Sequence, residues 1–294
     1  MRCLYPIEVL DAYGYPKQVP CGQCINCRIN YARQWSIRIT HEQLKYGDNS
    51  CFLTLTYDEE HLPADRSVHK KVLSGFLKRL RKAIGSKKIR FFGCGEYGDL
   101  FGRPHYHVII FGLPVDSSIF KNRHVHYEKG RVCGWHADLP CWPFGKVHIG
   151  TVSSESANYV AGYVIKKVKG KGAKEYYNSI GIEPEFVLMS RRPGIGSDYV
   201  VGHTDYYSVH RYVTLKGVKY PLPRFYVDRV GKRYKTMDEV RSFLRKKGVA
   251  EEDLEKSVRS VILGFDPLYK LENAVQEEKN VKSKMKLKKG VSHV

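Results

Sequence analysis

The sequence predicts an α+β protein built on an antiparallel sheet with helices on one face. Three observations carry this. Residues 50–57, 89–96, 105–111 and 146–152 read as strands, from apolar alternation or short apolar runs. A basic amphipathic stretch separates the first two, and a second helix-like stretch follows the last. The order strand, helix, strand, strand, strand, helix is that of a sheet layered with helices.

Composition narrows the partners. The 294 residues carry 50 Lys and Arg against 30 Asp and Glu, a formal charge of +20, with 42% hydrophobic residues. The chain can build a core, and its charge calls for a polyanion, nucleic acid first. No apolar run approaches the roughly 20 residues of a spanning helix, so a membrane is not expected as partner. Met1 does not open a basic-then-apolar signal peptide. A cytosolic setting is therefore expected, where the eight cysteines suit reduced thiols or metal ligands better than disulfides.

The elements follow in order. Cys21, Cys24 and Cys27 stand at Cys-x-x-Cys spacing, and Cys3 is the natural fourth ligand of a tetrahedral zinc site. Four buried free thiols are the other reading. Pro6, Gly14, Pro16 and Pro20 make the segment between Cys3 and Cys21 a looped knuckle rather than a regular element. Residues 28–46 lack Gly and Pro and read as a basic helix stopped by Gly47. Its Arg28, Arg33 and Arg38 either meet phosphate or face solvent.

Strand 50–57 alternates Phe52, Leu53 and Leu55 with threonines and ends in a polar turn at Asp58. Ser67 is placed to cap a helix to Ile84, with Val72, Leu73, Phe76, Leu77, Leu80 and Ile84 on its apolar face. Lysines and arginines, among them Lys78 and Arg81, occupy the other face. Glycines between Gly93 and Gly102 suit a tight connection that sets strands 89–96 and 105–111 side by side. On a strand His105 and His107 share a face, so with Glu96 they can grip one divalent ion. Ordinary sheet contacts would explain a histidine pair standing alone.

Residues 114–144 look irregular. Their second His-x-His pair, His124 and His126, has polar flanks and reads as a surface feature, at most a minor metal site with Cys133, His136 and Cys141 nearby. After strand 146–152, Ser153, Ser154 and Glu155 supply the capping hydroxyls and first-turn acid of a helix. In that helix Ala157, Ala161, Val164 and Val168 form an apolar stripe, with Tyr159, Tyr163 and Lys166 opposite. A tyrosine hydroxyl attacks phosphorus once its developing charge is met. A solvent-facing aromatic pair on a DNA-binding helix is the plainer account. Lys169, Lys171 and Lys174 then interleave with Tyr176 and Tyr177, which suits a single strand.

Beyond residue 201, residues 220–225 read as a turn-rich link, 237–247 and 251–263 as amphipathic helices, and 279–289 as a lysine-rich tail. Three regions result: a cysteine knuckle with a basic helix (1–47), a core (48–200) and a C-terminal extension (201–294).

These residues in this order resemble the HUH endonuclease superfamily: the strand Phe52–Tyr57, then His105-Tyr106-His107, then tyrosines on a following helix. Tyr159-Val160-Ala161-Gly162-Tyr163-Val164-Ile165-Lys166-Lys167 is similar to the two-tyrosine motif of replication initiators from small single-stranded DNA phages. The cysteine knuckle, Gly95-Glu96-Tyr97-Gly98 and Met189-Ser190-Arg191-Arg192-Pro193-Gly194-Ile195-Gly196 resemble the gokushovirus branch of Microviridae.

The resemblance implies an RRM-like antiparallel sheet and rolling-circle initiation: nicking of one DNA strand at an origin, a 5′-phosphotyrosine link, a free 3′-OH and later rejoining. It implies Mg²⁺ or Mn²⁺ on His105, His107 and Glu96, origin single-stranded DNA and host helicase and polymerase as partners, and the host bacterial cytoplasm as location. The family places a lysine three residues after each active tyrosine. Tyr163 has Lys166, whereas Tyr159 has Gly162 and must borrow Lys166 or Lys167, so Tyr163 is expected to be the better-equipped nucleophile. The rival readings are a non-catalytic zinc-containing DNA-binding protein and a plasmid relaxase of the same superfamily.

Overall fold

Alternation along Ser50–Tyr57 sets the layering of the molecule. Cys51, Leu53, Leu55 and Tyr57 join one buried cluster, whereas Phe52 packs against another on the opposite face. The computed structural model describes residues 2–10, 14–98, 102–128, 130–166, 172–210 and 212–231, with isolated positions between 242 and 248. The helices expected at 237–247 (isolated positions apart) and 251–263, the tail 279–289, and Lys167, Val168, Lys169 and Lys171 lie outside the described residues.

In chain order the elements begin with β1 (Ile7–Leu10), β2 (Pro16–Val19), α1 (Ile25–Tyr46), β3 (Ser50–Tyr57), α2 (Lys70–Ala83), β4 (Arg90–Tyr97) and β5 (Pro104–Phe111). There follow β6 (Lys121–Glu128), β7 (Arg131–Asp138), β8 (Gly145–Gly150), α3 (Ser154–Lys166), α4 (Ala173–Ile180) and β9 (Phe186–Met189). The last are α5 (Ser197–Gly202), α6 (Thr204–Val209), β10 (Tyr212–Leu215), β11 (Val218–Pro221) and α7 (Arg224–Gly231). Two compact units result, one from 35–202 and one from the described parts of 1–34 and 203–294.

The first unit holds a seven-stranded antiparallel sheet in the order β6-β7-β8-β3-β5-β4-β9. Strand β5 runs between β3 and β4, and β4 and β5 pair with Glu96 opposite His105, as the glycine-rich connection predicts. Helix α2 covers one face through Leu73, Phe76, Leu77 and Leu80. The other face carries Trp35 and Ile39 of α1 with Ala157, Val160 and Ala161 of α3, packed on Phe92, Ile109 and Phe111. Helices therefore flank both faces, not the one expected, because β3, β4 and β5 are apolar on both sides.

Other expectations change with tertiary context. Residues 114–144 contain the β6–β7 hairpin, whose side chains are mostly exposed and so leave no apolar alternation to read. The knuckle segment holds the β1–β2 hairpin, and the 220–225 link is the end of β11 and the start of α7. Ser67 does not cap α2: His69 is the N-cap residue, and the Ser67 hydroxyl donates to the Asp65 carbonyl and accepts from the Glu183 N–H. Gly95 has a packing reason, since a Cβ there would lie 2.6 Å from the Phe186 ring of β9. Gly47 stops α1 as predicted, at φ 53° with its N–H donating to the Gln43 carbonyl at 2.9 Å.

Buried Glu42 ties α1 to the sheet edge. One carboxylate oxygen accepts from Arg90 Nε at 2.5 Å, the other from the Gly196 N–H at 2.6 Å, and Arg90 also donates to the Pro193 carbonyl at 2.8 Å. Glu42→Ala should destabilise the protein by about 3 kcal/mol, since it strands a mostly buried guanidinium. Chemical denaturation would read this, and a loss below about 1 kcal/mol would refute it.

Candidate active site

Three ligand atoms converge where β4 and β5 begin their turn. Glu96 Oε1 lies 2.7 Å from His105 Nε2 and 3.2 Å from His107 Nε2. One ligand atom from each residue lies within 4.8 Å of the others. Cross-strand pairing places Glu96 opposite His105, and pleating puts His107 on the same face. The outer nitrogens are held as well: His105 Nδ1 is 3.0 Å from the Arg103 carbonyl, and His107 Nδ1 is 3.0 Å from Thr54 Oγ1. These partners turn both Nε2 atoms toward Glu96, the support that metal-ligating imidazoles ordinarily have. Separations near 3 Å match an edge of a coordination polyhedron with bonds of about 2.1 Å. Burial alone would raise the Glu96 carboxyl, but hydrogen bonds from His105 and His107 outweigh it and hold the group well below the usual carboxylate range.

Helix α3 lays both tyrosines over this trio. Ser153 starts it by accepting from the Glu155 and Ser156 N–H groups, as its position predicts, and Ser36 hydrogen-bonds Asn158 across the helix pair. Tyr163 stacks on His107, with centroids 4.7 Å apart and planes 9° apart. Tyr159 stands edge-on to His107 at 5.4 Å and to Phe52 at 6.1 Å. The two tyrosines differ sharply in exposure, 52% for Tyr159 and 7% for Tyr163. Tyr163 thus belongs to the core face with Ala157, Val160 and Ala161, which corrects the expected stripe. Burial pushes its phenol well above the ordinary tyrosine value, and its hydrogen bond with Tyr159 adds to this. Lys166 is the last residue of α3.

The second unit holds the four cysteines. Cys3, Cys21, Cys24 and Cys27 are all free thiols, their sulfurs within 4.8 Å of one another. Cys3 and Cys24 Sγ lie 3.9 Å apart, far from a disulfide and close to the roughly 3.8 Å edge of a tetrahedron with 2.3 Å bonds. Backbone N–H groups point at the sulfurs: Cys21 to Cys3 at 3.2 Å, Leu4 to Cys24 at 3.4 Å, and Cys24 to Cys21 at 3.3 Å. Burial raises the Cys3 and Cys27 thiols, while at Cys21 N–H bonds from Cys24 and Gln23 outweigh burial and lower it.

A feature missed by sequence reading lies at the far end of β4. A basic cleft of about 760 Å³ is lined by Lys45, Arg81, Lys87, Lys88, Arg90 and Arg191, residues far apart in sequence. Arg90 and Glu96 are six positions apart on one strand, so the cleft sits about 20 Å from the Glu–His–His trio. Arg28, Arg33 and Arg38 split between structural contacts: Arg33 donates to Asn30 and Arg38 to the Ile195 carbonyl. Among the described residues no helix is long and apolar enough to cross a membrane.

Comparison with known proteins agrees with this geometry. A family model described as replication-associated protein ORF2 matches residues 50–168, the stretch from β3 past α3 that supplies Glu96, His105, His107 and both tyrosines. The chain is 36% identical over 221 residues to replication-associated protein VP4 of Bdellovibrio phage phiMH2K, covering 71% of this chain and 66% of that protein. It is 30% identical over 229 residues to replication-associated protein ORF2 of Spiroplasma virus 4, covering 74% and 68%. It is also 30% identical over 235 residues to replication-associated protein ORF4 of Chlamydia phage 1, covering 74% and 56%. The matches thus span about two thirds of the first two relatives and just over half of the third. No solved structure matches the chain.

Proposed function

Because the chain belongs to the family of phage replication-associated proteins, we propose that it is an HUH-type endonuclease that nicks origin DNA and rejoins it through a phosphotyrosine. The observation that carries this is the exposed ring of Tyr159 standing over His107, beside the converging Glu96, His105 and His107. Glu96, His105 and His107 would hold one Mg²⁺ or Mn²⁺ ion, which when bound supplies Lewis-acid neutralisation of phosphate charge.

The protein's own groups do the rest. The Tyr159 oxygen bonds to phosphorus in line while the P–O3′ bond breaks. The phenol proton passes to solvent, and the departing oxygen takes a proton to become the 3′-OH. The 5′ phosphate stays on the tyrosine, and reversal of the same exchange rejoins a strand. Tyr163 holds the His107 plane by stacking and is the candidate hydroxyl for the later exchange. Lys166 and Lys167 are retained as cationic partners of the tyrosines on sequence spacing alone. Bases of the single strand have the basic cleft and Tyr176 of α4 as further contacts. Host helicase and polymerase in the bacterial cytoplasm would extend the free 3′-OH.

Incubation with single strands covering the phage origin and Mn²⁺ should give a protein–DNA adduct that survives a denaturing gel. Binding without any adduct, in Mn²⁺ or Mg²⁺, would instead favour a non-catalytic zinc-containing DNA-binding protein.

The four cysteines complete the proposal as one structural zinc site. Elemental analysis should find that Cys24→Ser lowers the zinc content by about one ion per chain and lowers the thermal midpoint, since site formation and folding are coupled. Zinc content equal to the wild type would remove this site.

A further inference from the structure

Four imidazoles gather at the exposed end of the large sheet, outside the site above. His124 and His126 lie on β6, His136 on β7 and His148 on β8. Register sets His124 opposite His136 and His136 opposite His148. His148 is opposite Thr54, which is opposite His107. Partners across antiparallel strands share a face, so the cluster lies on the catalytic face, two strands from His107 and about 10 Å away.

The ring spacing is that of a shared ion. Centroids are 4.5 Å apart for His126–His136, 5.3 Å for His126–His148, 5.4 Å for His136–His148 and 5.6 Å for His124–His136. Two imidazoles on one tetrahedral ion with metal–nitrogen bonds near 2.1 Å have centroids about 5 Å apart. No three of these rings yet bring nitrogens within 4.8 Å of one another, as Glu96, His105 and His107 do, so capture requires ring rotation. His126, His136 and His148 are only half-buried and His124 is exposed, which leaves room for it.

Two further features favour ligation over packing. The β6–β7 pairing is irregular between His126 and Tyr127, and opposite His126 stands Gly134. A Cβ at Gly134 would lie 2.7 Å from His148 Nε2 and 2.3 Å from the Ile149 carbonyl, so the missing side chain is what seats the His148 ring. Burial lowers the His136 and His148 imidazoles, with neighbouring histidines adding to it, which keeps both neutral as metal ligands must be.

We propose that His126, His136 and His148, with His124 as fourth ligand, form a further metal site that takes a zinc-class divalent ion and staples the β6–β7 hairpin to β8. An all-imidazole donor set suits Zn²⁺ and disfavours Mg²⁺ and Ca²⁺, which want oxygen.

The test uses the full chain stripped of metal and titrated with Zn²⁺. Nitrogen NMR of the wild-type histidine rings should show the coordination shift at His126, His136 and His148. The variant His126→Gln/His136→Gln should bind about one zinc fewer per chain, independently of the loss in Cys24→Ser. Unshifted ring nitrogens in the wild type, or unchanged zinc content in a folded variant, would overturn the proposal. So would a variant that holds full zinc but loses affinity for single-stranded DNA, because the imidazoles would then be phosphate contacts.

Discussion

Tyr159→Phe should leave no detectable protein–DNA adduct on a short origin oligonucleotide, while Tyr163→Phe should retain most of the first cleavage. The substitution removes a single oxygen, and that oxygen is the nucleophile, so the expected loss is at least about a thousandfold. Sequence spacing alone favours the opposite order, because Lys166 follows Tyr163 by three residues. Burial reverses it: Tyr163 is packed against His107 and the α3 core, whereas Tyr159 is half-exposed beside the same imidazole. A strand of DNA reaches the exposed phenol without moving the helix. Mass spectrometry of the linked peptide separates the outcomes. A wild-type adduct on Tyr163, undiminished in Tyr159→Phe, would refute the order proposed.

His105→Ala should cost about a thousandfold in adduct formation in Mn²⁺, since loss of Lewis-acid assistance is worth several kcal/mol. The protein should stay folded, because His105 is only partly buried and gives up a single bond, to the Arg103 carbonyl. His107→Ala is the less clean experiment. His107 is 2% exposed, hydrogen-bonded to Thr54 and stacked on Tyr163, so its removal should also cost roughly 2–4 kcal/mol of stability. The expectation that strand-face ligands stand outside the core holds for His105 alone. Adduct yield from His105→Ala at the wild-type level, with circular dichroism unchanged, would remove the Glu–His–His assignment.

Much of the site is legible because its logic is local. Period-two geometry puts His105 and His107 on one face whatever surrounds them, and a short glycine-rich connection gives Glu96 little choice but to lie opposite. Cys21, Cys24 and Cys27 likewise converge within one turn and the start of a helix, and Cys3 reaches them. The β6–β7 hairpin was not legible, since exposed strands rich in His, Lys and Arg carry no hydrophobic period. The basic cleft was hidden for another reason: Lys45, Arg81 and Arg191 come from three elements that only the fold assembles.

What the sequence determined by itself, then, is the sheet's strands β3, β4, β5 and β8, the helices between and after them, and the chemistry gathered at Glu96, His105, His107 and the tyrosine pair. Each follows from side-chain periodicity or contact between near neighbours, which the backbone imposes directly. Tertiary structure alone decided that helices cover both faces, that Tyr163 is buried while Tyr159 meets solvent, and that four histidines from three strands share one surface. A helix position four residues from another is on nearly the same face by sequence. Which of the two is covered depends on how far the underlying sheet extends beneath the helix, and that is set by long-range packing of Trp35, Phe92 and Ile109.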